Sequence, residues 1–157
     1  CTQHYHVPAW GERALNLLAS GKSPQGALTH LLDADDRPGQ RQLGIVSQSG
    51  RTATWNPTDA PERSRWWGAA AGRYYSCQGN TLTGREVIAA MSKAYEATGG
   101  SLADRLMAAL VAGDRAGGDH RGRLAAGIRV AKQGLDGYWF ELYVDQSENA
   151  TIGLLQK

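Results

Sequence analysis

The order of its amphipathic segments constrains this chain most: two helix-forming stretches, a hairpin, two more helix-forming stretches, and a closing pair of β-runs. "VPAWGERALNLLASG" has Pro8 early, apolar Ala14, Leu15, Leu17 and Leu18, and a stop at Gly21, which predicts a helix over 8–20. "SPQGALTHLLDAD" follows with Ser23 as cap and Pro24 at the first helical position, predicting a helix over 24–33. "RQLGIVSQSGRTATWN" reads as two short β-runs around a turn centred on Ser49 and Gly50, and Tyr74 to Cys77 as a further short strand. "TLTGREVIAAMSKAYEATGG" carries a capping box, Thr83 with Glu86, ahead of a stripe at Val87, Ile88, Met91, Ala94 and Tyr95. "SLADRLMAALVAG" repeats the device with Ser101 and Asp104 and is expected to bury Leu102, Leu106, Met107 and Leu110. These predict helices over 84–98 and 102–112. The last β-run alternates Trp139, Glu141 and Tyr143 against Phe140, Leu142 and Val144. Paired helices and hairpins pack as layers, so the expected fold is α+β, with two helical layers covering a sheet core.

Size and charge narrow the function. With 157 residues, 41% of them hydrophobic, the chain suits one domain over 1–157. A formal charge of +2 gives no footprint for nucleic acid or a membrane surface, and no apolar run reaches the ~20 residues of a membrane span. Cys1 and Cys77 are too few for a disulfide scaffold, though one bridge can form between them in an oxidising compartment. The compartment therefore stays open, with a leaning to the cytoplasm.

Three segments carry a resemblance: "YHVPAWGERALNLLASGKSPQGALTHLLDADDRPGQRQLGIVSQSGRTATWN", "SCQGNTLTGREVIAAM" and "GGDHRGRLAAGIRV". In their order and spacing, over nearly the whole chain, the sequence resembles the bacterial family catalogued as domain of unknown function 1028. The resemblance implies a four-layer αββα architecture grouped with N-terminal-nucleophile hydrolases, and ~60 further residues, read as β-strands, ahead of this chain. A separate upstream chain from the same precursor would then supply the missing strands. Many members carry a small residue such as alanine where Cys1 stands here, so the nucleophile reading rests on this chain's own first residue.

Cys1 has three readings: a trimmed or merely structural cysteine, a lipid-anchored one, or a nucleophile exposed by self-cleavage. Under the third, the thiol attacks an amide carbonyl and the α-amine on the same residue, with pKa near ~8, is the base. "CQGN", Cys77 to Asn80, is read as an exposed loop between a β-run and a helix cap. There the Asn80 amide and the close backbone approach at Gly79 would stabilise an oxyanion beside Gln78, or else simply form a turn. In "GGDHRGR", Arg121 and Arg123 would clamp a substrate carboxylate, and Asp119 would hold an α-ammonium or an arginine; the plainer reading is a solvated Asp–Arg loop. His4 and His6 are spaced to share one face of a strand and to orient the thiol or touch substrate. With the cysteines they do not match a recognised zinc pattern, so no metal and no cofactor is expected.

The site set is thus Cys1, Asn80 and Asp119 as catalytic residues, with His4, His6, Gln78, Gly79, Arg121 and Arg123 binding substrate. The expected activity is hydrolysis of an amide C–N bond in a small molecule. The alternative is a non-catalytic domain that binds a small molecule or a protein. Trp55, Trp66, Trp67, Tyr74 and Tyr75 lie around the first hairpin and "PERSRWWGAAAGRYYS", where they would wall a pocket for a ring or lie across a subunit interface, and the aperiodic segment Asn56 to Gly72 is read as a cover or, by preference, a contact arm. Together with open strand edges this points to a homo-oligomer.

Overall fold

Apolar side chains at Trp10, Ala14, Leu17 and Leu18 recur at helical spacing, and helix α1 (Trp10–Ala19) forms around them. It closes in a Schellman arrangement: the Lys22 N–H donates to Leu17 O at 3.0 Å and the Gly21 N–H to Leu18 O at 3.0 Å. Helix α2 (Pro24–Asp33) begins as expected, with the Gly26 N–H donating to Ser23 Oγ at 3.0 Å and Pro24 in the first turn. This computed structural model describes residues 1–145, and the chain divides into two compact units, Cys1–Thr81 and Leu82 onward.

The first unit sets α1 and α2 on a sheet of three short antiparallel strands, ordered β1 (Thr2–Gln3), β2 (Gln42–Val46) and β3 (Thr52–Trp55). Leu43 pairs with Thr2 on one side and Trp55 on the other, and Ile45 pairs with Ala53. That face meets Trp10, Ala27, Leu28, Leu31 and Leu32 in the unit's apolar core. Opposite pairs share a face, so Gln3, Gln42, Gly44 and Thr54 lie on the other side. A second hairpin follows, β4 (Trp66–Gly72) and β5 (Tyr75–Leu82), turned through Arg73 and Tyr74. The last 7 residues of the segment expected to be an aperiodic arm, Trp66–Gly72, are therefore strand. Its indole N–H groups are held as well, Trp55 on Pro38 O and Trp67 on Pro57 O, each at 2.9 Å.

The second unit pairs α3 (Arg85–Ala97) with α4 (Leu102–Arg115) and adds the hairpin β6 (Ala125–Val130) and β7 (Phe140–Asp145). The capping box at Ser101 and Asp104 forms as expected. The one expected at Thr83 does not: α3 is capped by Gly84, the Thr83 hydroxyl donates to Gly118 O at 3.4 Å, and Glu86 faces Arg85. Starting the helix one turn position later puts Thr83 outside it, where a loop carbonyl competes for the hydroxyl. Val87 and Ile88 are buried and Met91 half-buried. At Gly113 a Cβ would come within 2.6 Å of Met91 Cγ, so the absence of a side chain lets α3 and α4 approach closely. Leu102 is exposed rather than buried, because it stands at the first position of α4. Ala126, Ile128 and Val130 are buried and pair with Val144, Leu142 and Phe140, as the alternation of the last β-run implied. The fold is thus α+β, with four helices and small antiparallel sheets among the described residues.

Leu31, fully buried, and Leu102, nearly half exposed, give opposite expectations for the same truncation. Leu31→Ala should cost about 2–5 kcal/mol in urea unfolding, and Leu102→Ala less than about 0.5 kcal/mol.

Candidate functional site

Cys1 is exposed and continues the β1 ladder by one rung: its α-nitrogen donates to Gly44 O at 2.8 Å and its carbonyl accepts from Gly44 N at 2.9 Å. Burial pushes the pKa of that α-amine down from its ordinary value, favouring the neutral form. A cavity of about 370 Å³ opens beside it. Trp10, Ala14 and Leu18 of α1 form one wall, Leu43 to Val46 of β2 another, and Cys1, Thr2 and Ser76 also border it.

The polar face of the sheet, beneath β4 and β5, holds a cluster of hydrogen bonds centred on Gln42. Gln42, with no exposed surface, donates from Nε2 to Asn56 Oδ1 at 3.0 Å, Gly68 O at 3.2 Å and Gly79 O at 2.9 Å. Its Oε1 accepts from Asn80 Nδ2 at 3.0 Å. One rung along, Gly44 replaces a side chain with space: a Cβ there would lie 2.2 Å from Gln78 Oε1 and 2.5 Å from Ser76 Oγ. Alternate residues of a strand face one way, so Ser76, Gln78 and Asn80 form one polar stripe on β5. Asn80 is satisfied. Both amide atoms of Gln78 and the Ser76 hydroxyl are buried without a partner, as are Gln3 Oε1 and, on the helix side, Thr2 Oγ1. Each orphaned buried group costs about 1–3 kcal/mol, so the unsatisfied end of the stripe, next to Cys1, is where a bound group would gain most.

"QGN" is therefore the middle of a half-buried strand and not an exposed loop. Gln78 comes to the Cys1 rung through Gly44, Gly79 gives its carbonyl to Gln42, and Asn80 gives an amide hydrogen to the same residue. His4 and His6 do not share a strand face, because β1 ends at Gln3 and His4 and Tyr5 turn the chain with φ of +52°. His4 Nδ1 donates to Gln40 O at 2.9 Å, and its Nε2 lies 3.0 Å from Ser64 Oγ, which makes it a tether for the segment; His6 is exposed. Arg41 holds the same segment, bound to Asp35 at 3.0 and 3.1 Å and to the Tyr5 carbonyl. Burial works to raise the Asp35 carboxyl, but hydrogen bonds from Arg41 and Arg37 outweigh it and hold it below the usual range.

The "GGDHRGR" residues belong to the second unit, after α4. Arg121 forks onto Asp119 at 2.9 and 2.6 Å, and Arg123 Nε donates to Asp114 Oδ1 at 2.6 Å. Both arginines are exposed and already carry carboxylate partners. A cavity of about 190 Å³ within this unit touches Asp119 and Arg123. Among the described residues, no three His, Cys, Asp or Glu side chains converge as metal ligands, and no helix is long and apolar enough to cross a membrane.

Sequence reasoning missed Gln42, Gly44, Ser76 and Gln3. Polar residues at 76, 78 and 80 in a β-run, and Gln42 with Gly44 two apart in another, were the legible signal: a period-2 polar stripe inside otherwise apolar strands.

The model of a family of unknown function, DUF1028, matches residues 1–154. A crystal structure of a Silicibacter pomeroyi protein, described as matching that same family model, is similar with a TM-score of 0.82 and 26% identity. The likeness covers 98% of this chain and 66% of the Silicibacter protein, so the chain spans about two thirds of that protein's length. No curated protein matches.

Cys1 and Cys77 are not joined in a disulfide. Cys77 is half-buried, and burial pushes its thiol up to about 11, which leaves about one thiolate in a thousand at pH 8. Iodoacetamide at pH 8 should therefore alkylate exposed Cys1 at least ~10-fold faster than Cys77 in peptide mass spectrometry. Equal rates would mean that the β4–β5 hairpin opens readily in solution.

Proposed function

The chain belongs to the DUF1028 family, and from that membership and the surroundings of Cys1 we propose an amidohydrolase of the αββα N-terminal-nucleophile class acting on a small amide. The observation that carries the reading is the meeting, on one rung, of an exposed thiol at a cavity with unpartnered amide and hydroxyl groups. In this reading the Cys1 sulfur attacks the substrate carbonyl, and the α-amine of the same residue accepts the thiol proton. A lowered amine pKa suits that task, since the neutral amine keeps a lone pair while an N–H remains on Gly44 O. The leaving amine then takes the proton, and water hydrolyses the thioester. The chemistry requires the first nitrogen to be a free amine.

The second reading is a domain that binds a small molecule without turnover. It is favoured by the engagement of Asn80 with Gln42 and of Asp119, Arg121 and Arg123 with one another and Asp114, which leaves the oxyanion to backbone N–H groups.

For assembly, the reading includes a further strand-bearing segment, from an upstream companion chain or from a second copy. In support, the likeness to the Silicibacter protein covers 66% of that longer chain.

Expression of the complete reading frame tests the chemistry. Intact mass and N-terminal sequencing should find a chain starting at Cys1, and Cys1→Ala should lower turnover of small amides by at least ~10³-fold. The acid limb of kcat/KM should fall below the ordinary α-amine value of about 8, because a depressed pKa keeps the base neutral to lower pH. An uncut, inactive protein that still binds amides favours the second reading. Light scattering should give more than the mass of one copy of this chain; a stable lone copy would overturn the assembly.

A further inference from the structure

We propose that the Gln78 carboxamide is the recognition element of the Cys1 site and selects ligands that present a carbonyl and an N–H side by side: a primary carboxamide, a lactam or a hydantoin-like cyclic amide. The inference rests on the amide reading above and names the class of amide. Gln78 offers one acceptor and one donor on the same planar edge, and both are buried without a partner. The complement of such an edge is another amide with its N–H and C=O on one side, which joins it through two parallel hydrogen bonds. A substrate with only a carbonyl fills half of the edge and leaves the Gln78 oxygen orphaned, which is how a polar site rejects an analogue lacking one group.

The surroundings fit a ligand of this kind. Gly44, at the rung where Cys1 pairs, leaves the Gln78 amide and the Ser76 hydroxyl lying over bare backbone. Ser76 borders the cavity next to Cys1, and its hydroxyl and the Gln78 amide, two residues further along the same face of β5, lie behind that lining and closed from solvent, so a ligand reaches them by parting the wall at Ser76. At the other end of the same stripe the amide is engaged: Asn80 Nδ2 donates to Gln42 Oε1. Gln78 is the amide left over.

The test uses hydantoin as probe with the complete, 15N-labelled protein. The Gln78 side-chain NH2 resonances should shift saturably, and cyclopentanone, of the same ring size without an N–H, should bind at least 10-fold more weakly. Gln78→Leu should lose at least 10-fold in hydantoin affinity while its Tm stays the same or rises, because an apolar side chain of similar size removes an orphaned polar group. A fall in Tm for Gln78→Leu would mean that the amide is already partnered in the folded protein, and unshifted NH2 resonances in the unaltered protein would mean that no ligand reaches it; either overturns the proposal. If the unaltered protein binds hydantoin and hydrolyses no amide, the hydrolase reading fails and the recognition stands. If hydantoin does not bind while other amides are hydrolysed, the recognition fails and the hydrolase reading stands.

Discussion

Gln42 is the interaction on which the first unit turns. An uncharged amide with no exposed surface sits in the middle strand of a three-stranded sheet, and its two ends reach Asn56, Gly68, Gly79 and Asn80 on the segments that cover that sheet. Burial without those partners would cost several kcal/mol, whereas with them each bond contributes about 1 kcal/mol. The β4–β5 hairpin is therefore seated over β2 in one register, since hydrogen bonds, unlike apolar contact, fail within an ångström of misplacement. That register puts Ser76 and Gln78 over Gly44, beside the first residue of the chain.

The two faces of one strand divide the work. Leu43 and Ile45 meet α1 and α2 in an apolar core that supplies stability without direction. Gln42 and Gly44, between them in sequence, meet a polar stripe that supplies position. A five-residue strand can do both because its side chains alternate. Around its edge, His4, Arg41 and Asp35 hold the turn after β1, so the Cys1 ladder is braced by charged and ring hydrogen bonds rather than by its own two-residue length.

Family membership and the likeness to the Silicibacter protein agree with the α+β fold and extend over nearly all of this chain, though over about two thirds of that protein. In the second unit, the loop after α4 carries the pair Asp119–Arg121, and Arg123 ties it back to Asp114 of α4. The arginine of each is half-exposed, and pairs open to solvent contribute little to stability. Their effect is to shape the loop, as the Arg121 N–H on Asp119 Oδ1 at 2.9 Å also does.

Local signals in the sequence determined the helices and their ends. Ser23 with Pro24, Ser101 with Asp104 and Gly21 act within a turn or two of where they stand, so α1, α2, α3 and α4 lie within three residues of their expected bounds. The turn at Gly50 and the alternation of β7 were legible for the same reason. Tertiary structure alone decided that Thr83 is not a cap and that "QGN" is strand interior, because each depends on a partner far along the chain, Gly118 and Gln42 respectively; β4 within the supposed arm depends on the neighbouring strand β5. It likewise decided which amide is satisfied. Asn80 and Gln78 stand two residues apart in one stripe, and only the placement of Gln42 under one and Gly44 under the other leaves Gln78 with its hydrogen-bonding edge unfilled.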